Sequence, residues 1–186
     1  MIIIEFLIFC WKGLYYGIPG GLANGAPIFF KKVNFLNYPV DFGKTWRGKP
    51  IFGPHKTFRG LFFGILTAVL IIYIQRFLYL KSSYFRSISF PAYPEYSFVL
   101  FGFLVGFGIL FGDLVESFIK RRLGKEPGKP WFPWDQLDCA VGSVLFLAII
   151  YVPPWQVLVF IFVGVPLVHV ICSHICYYAG IKDSKW

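Results

Sequence analysis

Apolar residues run almost unbroken through five stretches of the chain, about residues 2–23, 58–80, 97–122, 134–151 and 155–179, and polar residues gather between them. A run of roughly 20 apolar residues, wound as a helix, matches the ~30 Å hydrocarbon core of a bilayer. The pattern predicts one all-α polytopic integral membrane domain over 1–186, with about five transmembrane helices and long polar loops at about 28–57 and 123–133. The opening run, MIIIEFLIFCWKG, has neither a basic leading segment nor a small-residue cleavage site, and reads as a retained first span. Towards its end, Gly17, Pro19, Gly20 and Gly21 lead into Ala23-Asn24-Gly25-Ala26-Pro27. That cluster predicts an irregular helix end whose backbone groups face a polar cavity.

Composition supports the membrane reading, since charged residues make up 15% of the chain against about 25% in globular proteins. The net charge of +9 is distributed unevenly: segments 28–59, 119–130 and 181–186 hold fourteen of the eighteen Lys and Arg residues. Basic loops stay cytoplasmic. The N-terminus is therefore expected outside, and the C-terminus and both long loops inside. Aromatic side chains, 22% of the chain, suit interfacial belts and lipid contact, so no nucleic-acid partner is expected. Cys10, Cys139, Cys172 and Cys176 all lie in apolar runs, which argues against disulfides.

The stretch from Gly112 to Asp138 breaks the pattern, carrying five of the nine acidic residues between two apolar runs. Asp113, Glu116, Ser117 and Lys120 recur at i, i+3, i+4 and i+7, one stripe on a helix. Asp135, Asp138 and Gly142 form a second stripe at the start of the next helix. The proline-rich connector between them should hold the two stripes together, beside Lys120, Arg121, Arg122, Lys125 and Lys129. Asp135 and Asp138 also suit the first turn of any helix, and Lys120 to Arg122 suit a membrane boundary. Asp113 and Glu116, directly following an apolar run, are harder to explain by capping. Clustered carboxylates without nearby His or Cys favour Mg²⁺. Together with the cytoplasmic Lys and Arg they describe a polyphosphate site, and its position at the membrane points to a lipid co-substrate.

These residues carry a resemblance. Gly112-Asp113-Leu114-Val115-Glu116-Ser117, Lys120-Arg121 and Asp135-Gln136-Leu137-Asp138 resemble the signature of the CDP-diacylglycerol synthase superfamily, with Gln136 where arginine is usual and Lys125-Glu126 where Lys-Asp is common. Residues 23–27, Lys56-Thr57-Phe58-Arg59-Gly60 and the short length are similar to the archaeal branch, the CDP-archaeol synthases. The resemblance implies a CTP-dependent cytidylyltransferase of phospholipid biosynthesis in the cell membrane. It would convert unsaturated archaetidic acid, an isoprenoid ether lipid phosphate, and CTP to a CDP-lipid and pyrophosphate. On the matched positions it implies Mg²⁺ held by Asp113, Asp135 and Asp138, with Glu116 a weaker ligand. Lys120, Arg121 and Lys129 would face the CTP phosphates. Lys44, Arg47, Lys56 and Arg59 would close over the nucleotide or grip the lipid phosphate, and Asn24 would read the base or ribose.

Other patterns lead elsewhere. Gly43-Lys44-Thr45 lacks the earlier glycine of a phosphate-binding loop, its place being taken by Tyr38. His169, Cys172, His174 and Cys176 resemble metal ligands but lie in an apolar run, where packing is the expected role. Gly102, Gly106, Gly108 and Gly112 permit close helix packing, within one subunit first and in a homodimer second. Alternative activities are an ester-lipid phosphatidate cytidylyltransferase and an anion or nucleotide transporter. A CDP-alcohol phosphotransferase would need Asp-Gly and a second aspartate pair, and neither is present.

Overall fold

The most glycine-rich apolar run becomes the central helix. The computed structural model describes residues 2–126, 129 and 131–178, except the side chains of Ile2, Val165, Val168, His169, Cys172 and Cys176. Its helices are α1 (Ile2–Phe29), α2 (Phe58–Lys81), the short α3 (Ser83–Ile88), α4 (Phe98–Arg122), α5 (Trp134–Leu147), α6 (Trp155–Val159) and α7 (Val165–Tyr178); the last two are joined through a π turn at Phe160–Gly164. Extended pairing among these residues is confined to the first loop: a two-stranded hairpin, Thr45–Trp46 against Lys49–Pro50, and an isolated antiparallel bridge between Pro39 and Thr57.

Helix α4 packs on α2 along one side and on α5 along the other, and α1 closes against α2 and α4. The contact with α5 is backbone against backbone. A Cβ on Gly108 would strike the Gly142 carbonyl, and one on Gly112 would strike the Asp138 carbonyl. Gly102 and Gly106 meet Val69 and Ala68 of α2 in the same way. All four glycines of the expected packing stripe are thus engaged within the chain. On α2, Gly60, Gly64, Ala68, Ile72 and Gln75 are the buried residues. Its remaining faces carry exposed Phe62, Leu66, Leu70, Tyr73 and Phe77, a surface that suits lipid and would aggregate in water. Helices α2 and α4 are each long and apolar enough to cross a membrane.

Two boundaries differ from expectation. Helix α1 does not loosen at residues 23–27 but continues to Phe29 through Pro19 and Pro27. A helical proline leaves the carbonyl four residues earlier without its N–H partner. For Pro19 that carbonyl is Tyr15, and the buried Gln75 supplies the donor, with Nε2 2.7 Å from it. Tyr93 Oη in turn donates to Gln75 Oε1 at 2.9 Å, so the buried amide is used at both ends. For Pro27 the freed carbonyl is Ala23, which Gly64 of α2 approaches closely. The fourth apolar run also ends as helix at Leu147, not Tyr151, giving α5 14 residues. At this length it spans roughly 21 Å, short of a full ~30 Å crossing.

Candidate active site

The C-terminal half of α4 and the first turns of α5 bring the acidic residues together. Oxygens of Asp113, Glu116 and Asp138 lie within 4.8 Å of one another. Lys56, arriving from the first loop, places Nζ 2.6 Å from both carboxylate oxygens of Asp113. Two helical turns further along α4, Lys120 Nζ stands 2.8 Å from Glu116 Oε1 and 2.6 Å from Asp135 Oδ1. Glu116 and Lys120 are buried there. Asp135 is held from its other side by the Trp131 backbone N–H, donating to Oδ2 at 2.8 Å. Three carboxylates therefore meet two ammonium groups in direct ion pairs, and the fourth, Asp138, joins the cluster through Asp113 and Glu116.

Thr57 explains how Lys56 reaches this position. It caps α2, its side chain accepting the Gly60 N–H, so the preceding residue is carried to the mouth of the bundle beside α4. The loop behind it is tied by Asp41, whose carboxylate accepts N–H groups from Gly43 (3.0 Å), Phe52 (2.9 Å) and Gly53 (3.1 Å). Burial alone would raise the Asp41 pKa. The three donors outweigh it and hold the carboxyl below its ordinary value.

Two cavities meet at this end of the bundle. A polar one of about 150 Å³ is lined by Asn24, His55, Lys56, Thr57 and Asp113, among others. A larger one of about 380 Å³ lies between α1, α4 and α5 and is walled mainly by apolar residues, including Tyr16, Phe101, Val105, Ile109 and Leu147. Asn24 borders both.

The expected residues thus separate into groups. Asp113, Glu116, Asp138 and Lys56 share one locus, with Asp135 and Lys120 alongside. Arg121 is buried and donates through Nη2 to the Glu126 carbonyl at 3.2 Å; its Nε and Nη1 find no hydrogen-bond partner among the described residues. Arg59 is turned to the loop backbone, donating to the Lys31 and Val33 carbonyls at 2.8 Å each. Lys44 and Lys129 are exposed, and Arg47 lies over the Trp46 ring. His55 and Thr57 were not expected at a site, although the polar His55-Lys56-Thr57 run before a helix was readable. Of the metal-like residues near the C-terminus, His169, Cys172 and Cys176 lie outside the described side chains, and His174 Nδ1 is 2.9 Å from the Val170 carbonyl.

Residues 3–186 match the family model described as CarS-like: CDP-archaeol synthase. The CDP-archaeol synthase of Methanoculleus marisnigri is 37% identical over 177 residues, covering 91% of this chain and 99% of the relative. That of Pyrococcus furiosus is 33% identical over 177 residues, covering 94% and 97%. A solved structure described as an intramembrane enzyme for archaeal membrane lipids biosynthesis superimposes with a TM-score of 0.65 at 26% identity, covering 91% of this chain and 93% of the other.

Proposed function

The chain belongs to the CDP-archaeol synthase family, and we propose how its residues carry out the family's reaction at the junction of the two cavities. The protein is a membrane enzyme that forms CDP-archaeol from CTP and an isoprenoid ether lipid phosphate. An oxygen of the lipid phosphate attacks the α-phosphorus of CTP, the bond to the β-phosphate breaks, and pyrophosphate leaves. The attacking phosphate is already anionic, so the reaction needs no general base.

The observation that carries the site assignment is the convergence of Asp113, Glu116 and Asp138 beside Lys56. Three carboxylate ligands without nitrogen or sulfur suit a hard cation such as Mg²⁺. Lys56 pairs with Asp113 and Lys120 with Glu116 and Asp135, which leaves the Asp138 carboxylate without an ion-pair partner among the described residues. Unbalanced charge at a membrane bundle's mouth is costly. Bound there, Mg²⁺ would neutralise triphosphate oxygens and the charge passing to the leaving pyrophosphate.

The remaining residues position and balance charge. Asp113, Glu116 and Asp138 would hold the ion. Asp135, assigned to the metal from sequence, would instead anchor Lys120, whose two ion pairs fix Glu116 in place. Lys56 would meet phosphate oxygens, and the spare donors of Arg121 suit an anion arriving from the connector side. Asn24, at the boundary of the polar and apolar cavities, would lie where headgroup and chain join. The apolar chamber would admit part of an isoprenoid chain.

The first loop and the ends of α4 and α5 meet at one end of the bundle. With the charge asymmetry of the loops this supports a multi-pass arrangement, N-terminus outside, with the site facing the cytoplasm. The test is pyrophosphate release by the purified protein in liposomes. Release should require CTP, Mg²⁺ and an isoprenoid ether lipid phosphate, with an acyl-ester lipid phosphate as the comparison arm. Faster turnover of the ester lipid, or nucleotide uptake without turnover, overturns the proposal.

A further inference from the structure

Arg122, which no step above uses, ends α4 one turn beyond Ser117 and Phe118 and reaches across to the first loop. Its guanidinium donates to three backbone carbonyls of the hairpin, those of Trp46, Lys49 (3.1 Å) and Pro50. The same group lies over two rings, 5.4 Å from the centroid of Trp46 and 5.2 Å from that of Phe118. Those rings are themselves stacked, 5.4 Å apart. Lys49 answers in the other direction, donating from Nζ to the Arg122 carbonyl at 3.0 Å. Three carbonyls around one planar fork use the geometry of arginine, which a lysine ammonium cannot reproduce. The hairpin is exposed throughout, so a joint of this kind has a purpose other than filling a core.

The clasp connects to the site through a short length of chain. Asp41 closes residues 41–53 on themselves through the N–H groups of Gly43, Phe52 and Gly53, so the loop moves as a unit. Next to Asp41, the Val40 N–H donates to the Lys56 carbonyl at 2.8 Å. Lys56 then reaches Asp113, more than two helical turns before Arg122 on the same helix. The loop is therefore fastened to α4 at two points, one structural at Arg122 and one within the site at Lys56.

We propose that Arg122 is a positioning residue for the nucleotide: it clasps the first loop to the end of α4 and so fixes where the Lys56 ammonium stands relative to Asp113. The inference rests on the reading that Lys56 meets CTP. The test measures KM for CTP and kcat in four proteins: wild type, Arg122→Ala, Lys56→Ala and the double variant. Arg122→Ala should raise KM roughly tenfold, the scale of a few lost hydrogen bonds to a charged group. In the Lys56→Ala background the same change should add less than about twofold, because both act through one group. Arg122→Lys should stay within about twofold of alanine, since charge without the fork does not restore the clasp. A purely stabilising role would lower kcat through the folded fraction and leave KM unmoved. That result, or multiplicative effects in the double variant, overturns the proposal. Should Arg122→Ala not accumulate folded, Trp46→Ala takes its place; it removes the ring beneath the guanidinium without altering α4. The same two outcomes then decide. Failure of the underlying reading is distinguishable, because then Lys56→Ala by itself would leave KM for CTP unmoved.

Discussion

Replacing Gly112 by alanine should force α4 and α5 apart at the level of the carboxylates. The new Cβ would land on the Asp138 carbonyl oxygen and 2.8 Å from the carbonyl carbon, whereas non-bonded carbons pack at ~3.5–4.0 Å. Both opposing atoms belong to backbone, so no side chain can turn aside. Relief requires the helices to separate by roughly 0.7–1.2 Å at this level. That movement carries the Asp138 carboxylate away from Asp113 and Glu116, with which it shares a cluster 4.8 Å across. A misplacement of about 1 Å costs on the order of 100-fold in rate, and overpacking costs ~1–3 kcal/mol of stability. The assay is CTP-dependent pyrophosphate release over a Mg²⁺ titration, with thermal unfolding in detergent alongside. The expected result is a kcat about 100-fold lower, a higher Mg²⁺ requirement and a reduced unfolding temperature. Gly102→Ala is the control, because its Cβ would meet Val69 Cα at 2.5 Å on the α2 side of the same helix. It should lose stability while keeping the wild-type Mg²⁺ requirement. Wild-type turnover in Gly112→Ala, or equal Mg²⁺ shifts in the two variants, would refute the separation of ligands as the cause.

Two further substitutions probe the frame around the site. Gln75→Leu strands the Tyr15 carbonyl and the Tyr93 hydroxyl in the interior, at a cost of about 1–3 kcal/mol; unfolding in detergent should report it, and Mg²⁺ dependence should stay unchanged. Lys120→Met removes the ammonium between Glu116 and Asp135, whose loss from a buried pair costs ~3–5 kcal/mol. Excess Mg²⁺ should recover part of that stability if the cluster takes a cation, and no recovery would count against the metal assignment.

The helical class and the approximate bounds of α2 and α4 were legible because a bilayer demands long apolar runs, and such runs are visible without neighbours. Helical spacing likewise put Asp113, Glu116 and Lys120 on one face, a local relation. The course of α1 was not legible, since the partner that satisfies Tyr15 ahead of Pro19 is Gln75, sixty residues away. Nor was the spatial grouping of the carboxylates. Sequence set Asp135 among the metal ligands and Glu116 behind it, whereas the fold pairs Asp135 with Lys120 and gathers Glu116 with Asp113 and Asp138. That choice depends on the rotation of α5 against α4, which the glycine-to-carbonyl contacts at Gly108, Gly112 and Gly142 decide. Residue types and their spacing along each helix thus determined which chemistry the chain can hold. The close seam between two helices, and the loop brought to it from outside, decided which residues meet, because contact between distant segments is set by packing and not by periodicity.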